Sequence, residues 1–446
     1  MEENTDDFID RHCKSLDILC LLTVTRAGSK YFHSLLDDHP NVVCFPRKFN
    51  FYSFWKTVSR QNSNLPDIID TFLHRYDHFF AGNRWSKFTR YERTTELGPN
   101  RNETFWVDEN MFRERVSSIL ENTSITSRSL FLALHFAYME ARGKSIPDRV
   151  LLLYHIHDAI LEEDLRLCTE DFPKCRALVM TKNPLLSLDS IFNLMKSQNR
   201  ISSKRLYVNF CATVYDASNL LSNFAVTPIK VLPFERLHTN SKEVMKHLCS
   251  WLTLDWKESL LSSTVHGKLW WGNGVAPRNG FRRNWPVYAV DESTGLRAND
   301  WKLFYNLTKF RMRHYGYVSY KDAAQLDGKF LRFSFIKPTH SEWSILKSIF
   351  SPTHWARTAK TVLMDIREPQ FTDYNHYFRS RSRILANIDE LRVSRTVVNS
   401  FRFCVIMSIL IYNANPVSWV YFYLKRVAFC WQVSRSNNFS DLPDLL

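Results

Sequence analysis

Three short stretches carry residue types that can handle anions and protons. The first is Thr25-Arg26-Ala27-Gly28-Ser29-Lys30-Tyr31. A glycine at Gly28 lets backbone approach an anion closely. The N–H groups of Gly28, Ser29 and Lys30, at the start of a following helix, then point toward bound phosphate or sulfate. Arg26 and Lys30 add positive charge. The spacing GxxxxGK[ST] of the ATP-type phosphate loop is not present here, so this is an anion loop of another class. In the second stretch, Lys182 and Ser190 stand eight residues apart, where they can grip a second phosphate. The third is Tyr154-His155-Ile156-His157-Asp158. Histidine takes a proton from a hydroxyl near neutral pH. Zinc binding there lacks evident further ligands. Each stretch has a bland counterpart: a plain strand-to-helix turn, a solvated lysine with a surface serine, a structural histidine pair.

The elements that must hold these residues are legible as apolar runs. Asp17–Val24 (DILCLLTV), Val42–Phe45, Arg149–His155 (RVLLLYH), Arg176–Thr181 (RALVMT) and Pro228–Pro233 (PIKVLP) have the length and composition of buried parallel strands. Helical spacing follows several of them: from Tyr31 to Leu36, stopping at Asp38-His39-Pro40; Ala159–Thr169; Pro184–Lys196, with proline at its favoured start; Lys204–Phe224; and the amphipathic Ser241–Leu252. Residues 47–145 are aromatic-rich and read as a largely helical insert. The alternation predicts an α/β fold, a parallel sheet with helices on both faces. Ligands of such sheets bind outside the carboxyl ends of the strands, where the three stretches fall.

Composition narrows the partners. The 446 residues include 45% hydrophobic and 23% charged residues, an ordinary globular balance, and a net charge of +14 favours anionic partners. Lys and Arg are scattered without a basic-aromatic stripe, so nucleic acid is not an expected partner. Nine cysteines at irregular spacing, with no CxxC pair, suit a reducing compartment and give no sequence signal for a metal site. The acidic, polar start (MEENTDD) lacks the basic and apolar regions of a signal peptide. A cytoplasmic location is the expectation, peripheral to or anchored in a membrane if the C-terminal region makes that contact.

Taken in order, these stretches resemble the sulfotransferase family. LLTVTRAGSKYFHSLLDDHPNVVCFPR resembles the 5′-phosphosulfate loop and helix of its carbohydrate and microbial members, with their Arg-x-Gly-Ser/Thr core and following Leu-Leu-x-x-His-Pro. FPKCRALVMTKNPLLSLDSIF resembles the 3′-phosphate segment, PIKVLPFERLHTNSKEVMKHLCSWLTLDW a later strand and helix, and LWWGNGVAPRNGF the tail of the domain. The resemblance covers roughly residues 15–320, within a catalytic domain drawn over 15–325. It implies a P-loop-like parallel sheet. It also implies transfer of a sulfuryl group from 3′-phosphoadenosine-5′-phosphosulfate (PAPS) to a hydroxylated acceptor, the loop style favouring a carbohydrate, with no metal required. Arg26 then matches the loop's basic residue on the phosphosulfate. Ala27, Gly28, Ser29, Lys30 and Tyr31 form the loop, Lys182 and Ser190 the 3′-phosphate pair, and Arg278 a late basic residue. His157 matches the base, with His155 second. Lys182 stands where the family has arginine, which loses a bidentate fork, and Lys30 replaces a hydroxyl residue. These two departures sustain an alternative, an inactive sulfotransferase-like binder of nucleotide or glycan. A phosphate-loop kinase or hydrolase is disfavoured by the absent GK[ST]. The insert over 47–145 is assigned to the acceptor side.

Residues 326–446 form a helical C-terminal extension beyond the resemblance. Within it, Phe403–Leu424 is long enough to cross a bilayer, but Asn413, Asn415 and Pro416 interrupt it. A re-entrant anchor, a single span and a packed helical pair all fit that pattern.

Overall fold

The computed structural model describes residues 16–23, 27–61, 63–84, 92–157, 161–188, 228–272, 305, 312 and 317. Two compact units divide the chain. Residues 1–182 and 226–285, with 444–446, make one; residues 183–225 and 286–443 make the other. The first unit carries the sheet. Its strands are β1 (Leu16–Thr23), β2 (Val42–Val43), β3 (Val150–His157), β4 (Arg176–Thr181) and β5 (Ile229–Pro233), all parallel, in the order β2-β3-β1-β4-β5. The fold is α/β, as the alternating runs predict.

β1 lies at the centre because its apolar run leaves no side to solvent. Ile18 to Leu22 are at most 3% exposed, as a strand covered on both faces requires. Helix α1 (Ser29–Leu36) turns Phe32, Leu35 and Leu36 onto the sheet. The same core receives Val244, Met245, Leu248 and Leu252 from the later helix Ser241–Leu252. Register aligns the strand ends: Thr23 pairs with His157 on one side and Met180 on the other, and Thr181 pairs with Pro233. One edge of the sheet therefore gathers the residues that follow β1, β3, β4 and β5.

The insert is helical, with α2 (Phe51–Arg60), α3 (Leu65–Arg75), α4 (Glu109–Leu120) and α5 (Ser127–Ala141). Side-chain caps start three of these helices: Asn64 on Asp67 N–H, Asp108 on Asn110 and Met111 N–H, and a reciprocal Thr126–Ser129 capping box. Leu130 to Tyr138 of α5 are buried without a break, so this helix is apolar all round, as a core helix is. Stacked and edge-on rings of Phe45, Phe49, Phe72, Tyr76 and Phe79 fill the space it faces.

β2 is shorter than the run Val42–Phe45 suggests, because Phe45 turns its ring into that aromatic cluster rather than extending the ladder. α6 (Leu161–Asp171) and β4 stand close to their expected bounds, and Pro184 opens a helix described over 184–188. After β5 come α7 (Phe234–Thr239) and α8 (Ser241–Leu252). The expected helix over Lys204–Phe224 and the C-terminal extension, including Phe403–Leu424, lie outside the described residues. Among the described residues, no helix is long and apolar enough to cross a membrane.

Candidate functional site

The turn after β1 enters α1 through Gly28, whose φ of 83° and ψ of 12° place it in the left-handed region. That conformation is cheap only for glycine. The position is closed a second way: a Cβ on Gly28 would lie 2.2 Å from Cδ2 of Phe234. The Gly28 carbonyl accepts from Tyr31 and Phe32 N–H at 3.0 and 3.2 Å. The intrahelical ladder thus begins at Tyr31, and the first-turn N–H groups before it face the end of the helix. This geometry suits an oxyanion.

Of the sequence-predicted residues, Ala27, Gly28, Ser29, Lys30, Tyr31, His155 and Lys182 are described with their side chains. His157 is described as the last residue of β3 only, and Arg26, Ser190 and Arg278 lie outside the described residues. His155 is buried and its Nε2 lies 3.1 Å from Ser29 Oγ. Beside it, the ring of His33 is tilted with its centroid 5.5 Å away, and His33 Nε2 bonds the Phe45 carbonyl at 2.9 Å. Burial pushes the His33 pKa below its ordinary value.

Phe234, the residue immediately after β5, joins the first and second stretches. Gly28 packs against its ring, and Lys182 Nζ stands 5.9 Å from its centroid. Tyr31 meets Phe234 edge-on and stacks on His238 at 5.1 Å. Sequence reasoning did not single out Phe234. Its place beside the carboxyl end of a strand in an α/β sheet was the available signal.

The insert over 47–145 reaches the same loop through charge. Lys30 Nζ forms an ion pair with Glu92, and Arg47 Nε lies 2.8 Å from the other carboxylate oxygen of Glu92. Glu92 and Arg47 are 5% and 6% exposed. No guanidinium nitrogen of Arg47 makes an aligned hydrogen bond among the described residues. Desolvation therefore lowers the Arg47 pKa, and the charge of Glu92 opposes it. Trp270 Nε1 donates to the Glu92 carbonyl at 2.8 Å. Lys30, His33, Arg47, Glu92, His155 and Trp270 line a small, partly open cleft. Glu92 carries no periodicity or motif that would have marked it in the sequence, and Arg47 ends the stretch LLTVTRAGSKYFHSLLDDHPNVVCFPR without a role assigned to it.

The cleft's lining includes part of a buried polar knot. Asp37 accepts from Gly267 N–H at 2.8 Å and Thr264 Oγ1 at 3.2 Å, and Arg142 stands 3.5 Å away. Burial alone would raise the Asp37 pKa. Arg142, His266 and the Gly267 N–H outweigh it and bring the value to about 2.

No family model matches the sequence, and no curated protein matches it. Among solved structures, the chain is similar to the sulfotransferase domain of the Synechococcus PCC 7002 olefin synthase, at 13% identity and a TM-score of 0.31, covering 55% of this chain and 76% of that one. It is similar to the sulfotransferase domain of the curacin biosynthetic pathway, at 16% identity and a TM-score of 0.35, over 55% and 76%. It is also similar to sulfotransferase STF9 from Mycobacterium avium, at 10% identity and a TM-score of 0.30, over 57% and 70%.

Proposed function

We propose that this chain is a sulfotransferase that moves a sulfuryl group from PAPS to a hydroxyl, with a carbohydrate as the leading acceptor class. The observation that carries the reading is the meeting at one sheet edge of the Gly28 loop, the His155-x-His157 strand end and Lys182, with Phe234 between the first and the last. The residues present fit such a donor. A left-handed glycine opens a helix toward an anion, two lysines flank it, and an aromatic group of Tyr31, Phe234 and His238 stands beside them.

In this reading the donor supplies an activated sulfuryl group on a phosphate leaving group. The loop N–H groups and Arg26 hold the negative charge that builds on that phosphate as the bridging S–O bond breaks, a preorganised electrostatic contribution. His157 accepts the acceptor's hydroxyl proton while the acceptor oxygen bonds to sulfur. His155 holds Ser29 and with it the start of α1. Lys182 and Ser190 bind the 3′-phosphate, and the insert that carries Arg47 and Glu92 shapes the acceptor side.

Calorimetric titration with adenosine 3′,5′-bisphosphate, alongside ATP, tests the donor site. Micromolar binding of the bisphosphate with much weaker ATP binding is expected. Absent bisphosphate binding by folded protein would sink the reading.

A further inference from the structure

A second cluster of reactive groups lies away from the cleft and has no part in the transfer chemistry. Cys20 in β1, Cys168 in α6 and Cys175, the residue before β4, bring their sulfurs within 4.8 Å of one another. The Cys20 and Cys168 sulfurs are 3.4 Å apart. All three are at most 1% exposed. Cys168 and Cys175 are near neighbours in the chain, but Cys20 lies 148 residues before Cys168, which is why spacing alone gave no sign of the cluster.

A metal bonded to three thiolates at about 2.3 Å sets its sulfurs roughly 4 Å apart, a spacing these side chains meet with sub-ångström adjustment. Among the described His, Cys, Asp and Glu side chains, the cluster comprises these three thiols alone. Of the nearby phenols, Tyr154 donates to Asp164 Oδ2 at 3.4 Å, while Tyr52 stands between Asp171 Oδ2, to which it donates at 3.1 Å, and the Cys168 thiol. A structural zinc site takes four ligands in a tetrahedron. Three buried thiolates, with no imidazole or carboxylate in the cluster among the described residues, match a soft metal of low coordination number.

We propose that Cys20, Cys168 and Cys175 form a trigonal thiolate site for a soft monovalent d¹⁰ cation of the copper(I) class. Each metal–sulfur bond forms as a thiol proton leaves to solvent, with no change of oxidation state. Each cysteine must give up its thiol proton to become a ligand. Occupancy therefore rises with pH. A filled site would tie β1, β4 and α6 together behind the strand that leads into the Gly28 loop.

The test uses the reduced full-length protein with silver(I), a redox-inert probe of this class, titrated against glutathione as competitor. One tight equivalent is expected in the wild type and in Cys249→Ala, which removes a buried cysteine outside the cluster. Cys168→Ala and Cys175→Ala should weaken that equivalent by more than the roughly 10–100-fold that loss of an outer-shell partner costs. X-ray absorption on the wild type loaded with one equivalent covers the case in which the variants misfold. Three sulfur neighbours support the site, and two or fewer overturn it. Zinc(II) outcompeting silver(I) at the same cysteines would overturn the choice of cation.

Discussion

His155 Nε2 sits 3.1 Å from Ser29 Oγ, so the end of β3 is hydrogen-bonded to the first residue of α1. This bond separates the two histidines of the strand end in the proposed reaction: His155 positions the loop and His157 takes the proton. Ser29→Ala removes one hydrogen bond worth about 0.5–1.5 kcal/mol. Adenosine 3′,5′-bisphosphate affinity should fall roughly 2- to 10-fold by calorimetry, with turnover retained. His157→Ala should abolish turnover and leave bisphosphate affinity near wild type. If His155→Gln instead abolished turnover with affinity intact, the base role would move to His155.

Gly28→Ala meets two penalties at once. The left-handed backbone costs a non-glycine residue about 1–2 kcal/mol, and the new Cβ would lie 2.2 Å from the Phe234 ring, an overpacking of about 1–3 kcal/mol. A loss of roughly 2–5 kcal/mol in urea unfolding is expected from the two together. Adding Phe234→Leu should return part of the loss, because the clash is relieved while the backbone strain stays. Full recovery would mean that the left-handed geometry costs nothing here.

Acid should weaken the fold from near neutrality. His135 is buried against the Phe131 carbonyl, and desolvation lowers its pKa to about 3 from an ordinary 6.5. A group depressed in the folded state stabilises above its unfolded pKa and loses that contribution as pH falls. Between 6.5 and about 4 the loss from His135 alone is about 3 kcal/mol at 1.36 kcal/mol per unit. Burial depresses His33 in the same direction. Asp37, held near 2, adds its own loss only below its ordinary 3.8. Urea midpoints recorded against pH should fall in that window, and His135→Leu should flatten the slope above about pH 4. An unchanged slope in that variant would remove His135 from the acid response.

The strands were legible because each is built on a short apolar run, and a run such as Leu19–Leu22 has no reading but a covered element. The positions of Gly28 and Lys182 were legible for a related reason: each follows the carboxyl end of an apolar strand. What the sequence hid is every contact made across long separations. Glu92 meets Lys30 and Arg47 from a stretch without periodicity, and Phe234 reaches Gly28 from the far side of the sheet order. The cysteines deceived for the same cause. Pairwise spacing predicts no metal centre, yet the register of β1 and β4 and the packing of α6 bring three sulfurs together.

Glu92 bridges two cations that differ in burial, and that difference predicts unequal consequences. Arg47 is buried, whereas the Lys30 side chain is 34% exposed. Removing the charge of Glu92 by Glu92→Gln strands a desolvated guanidinium, and breaking such a pair costs about 3–5 kcal/mol. Lys30→Met should cost no more than about 1 kcal/mol, since a part-exposed amine is solvated when its partner leaves and the Glu92–Arg47 pair survives. Replacing both buried partners, as Arg47→Met with Glu92→Leu, should recover most of the loss, because apolar side chains carry no desolvation penalty. Ligand binding separates this structural role from a role in holding the donor. Glu92→Gln frees the Lys30 amine beside the Gly28 loop, so bisphosphate affinity in the folded fraction should hold or rise while stability falls. A parallel drop in affinity would show that Glu92, through Lys30, keeps the loop in its binding geometry.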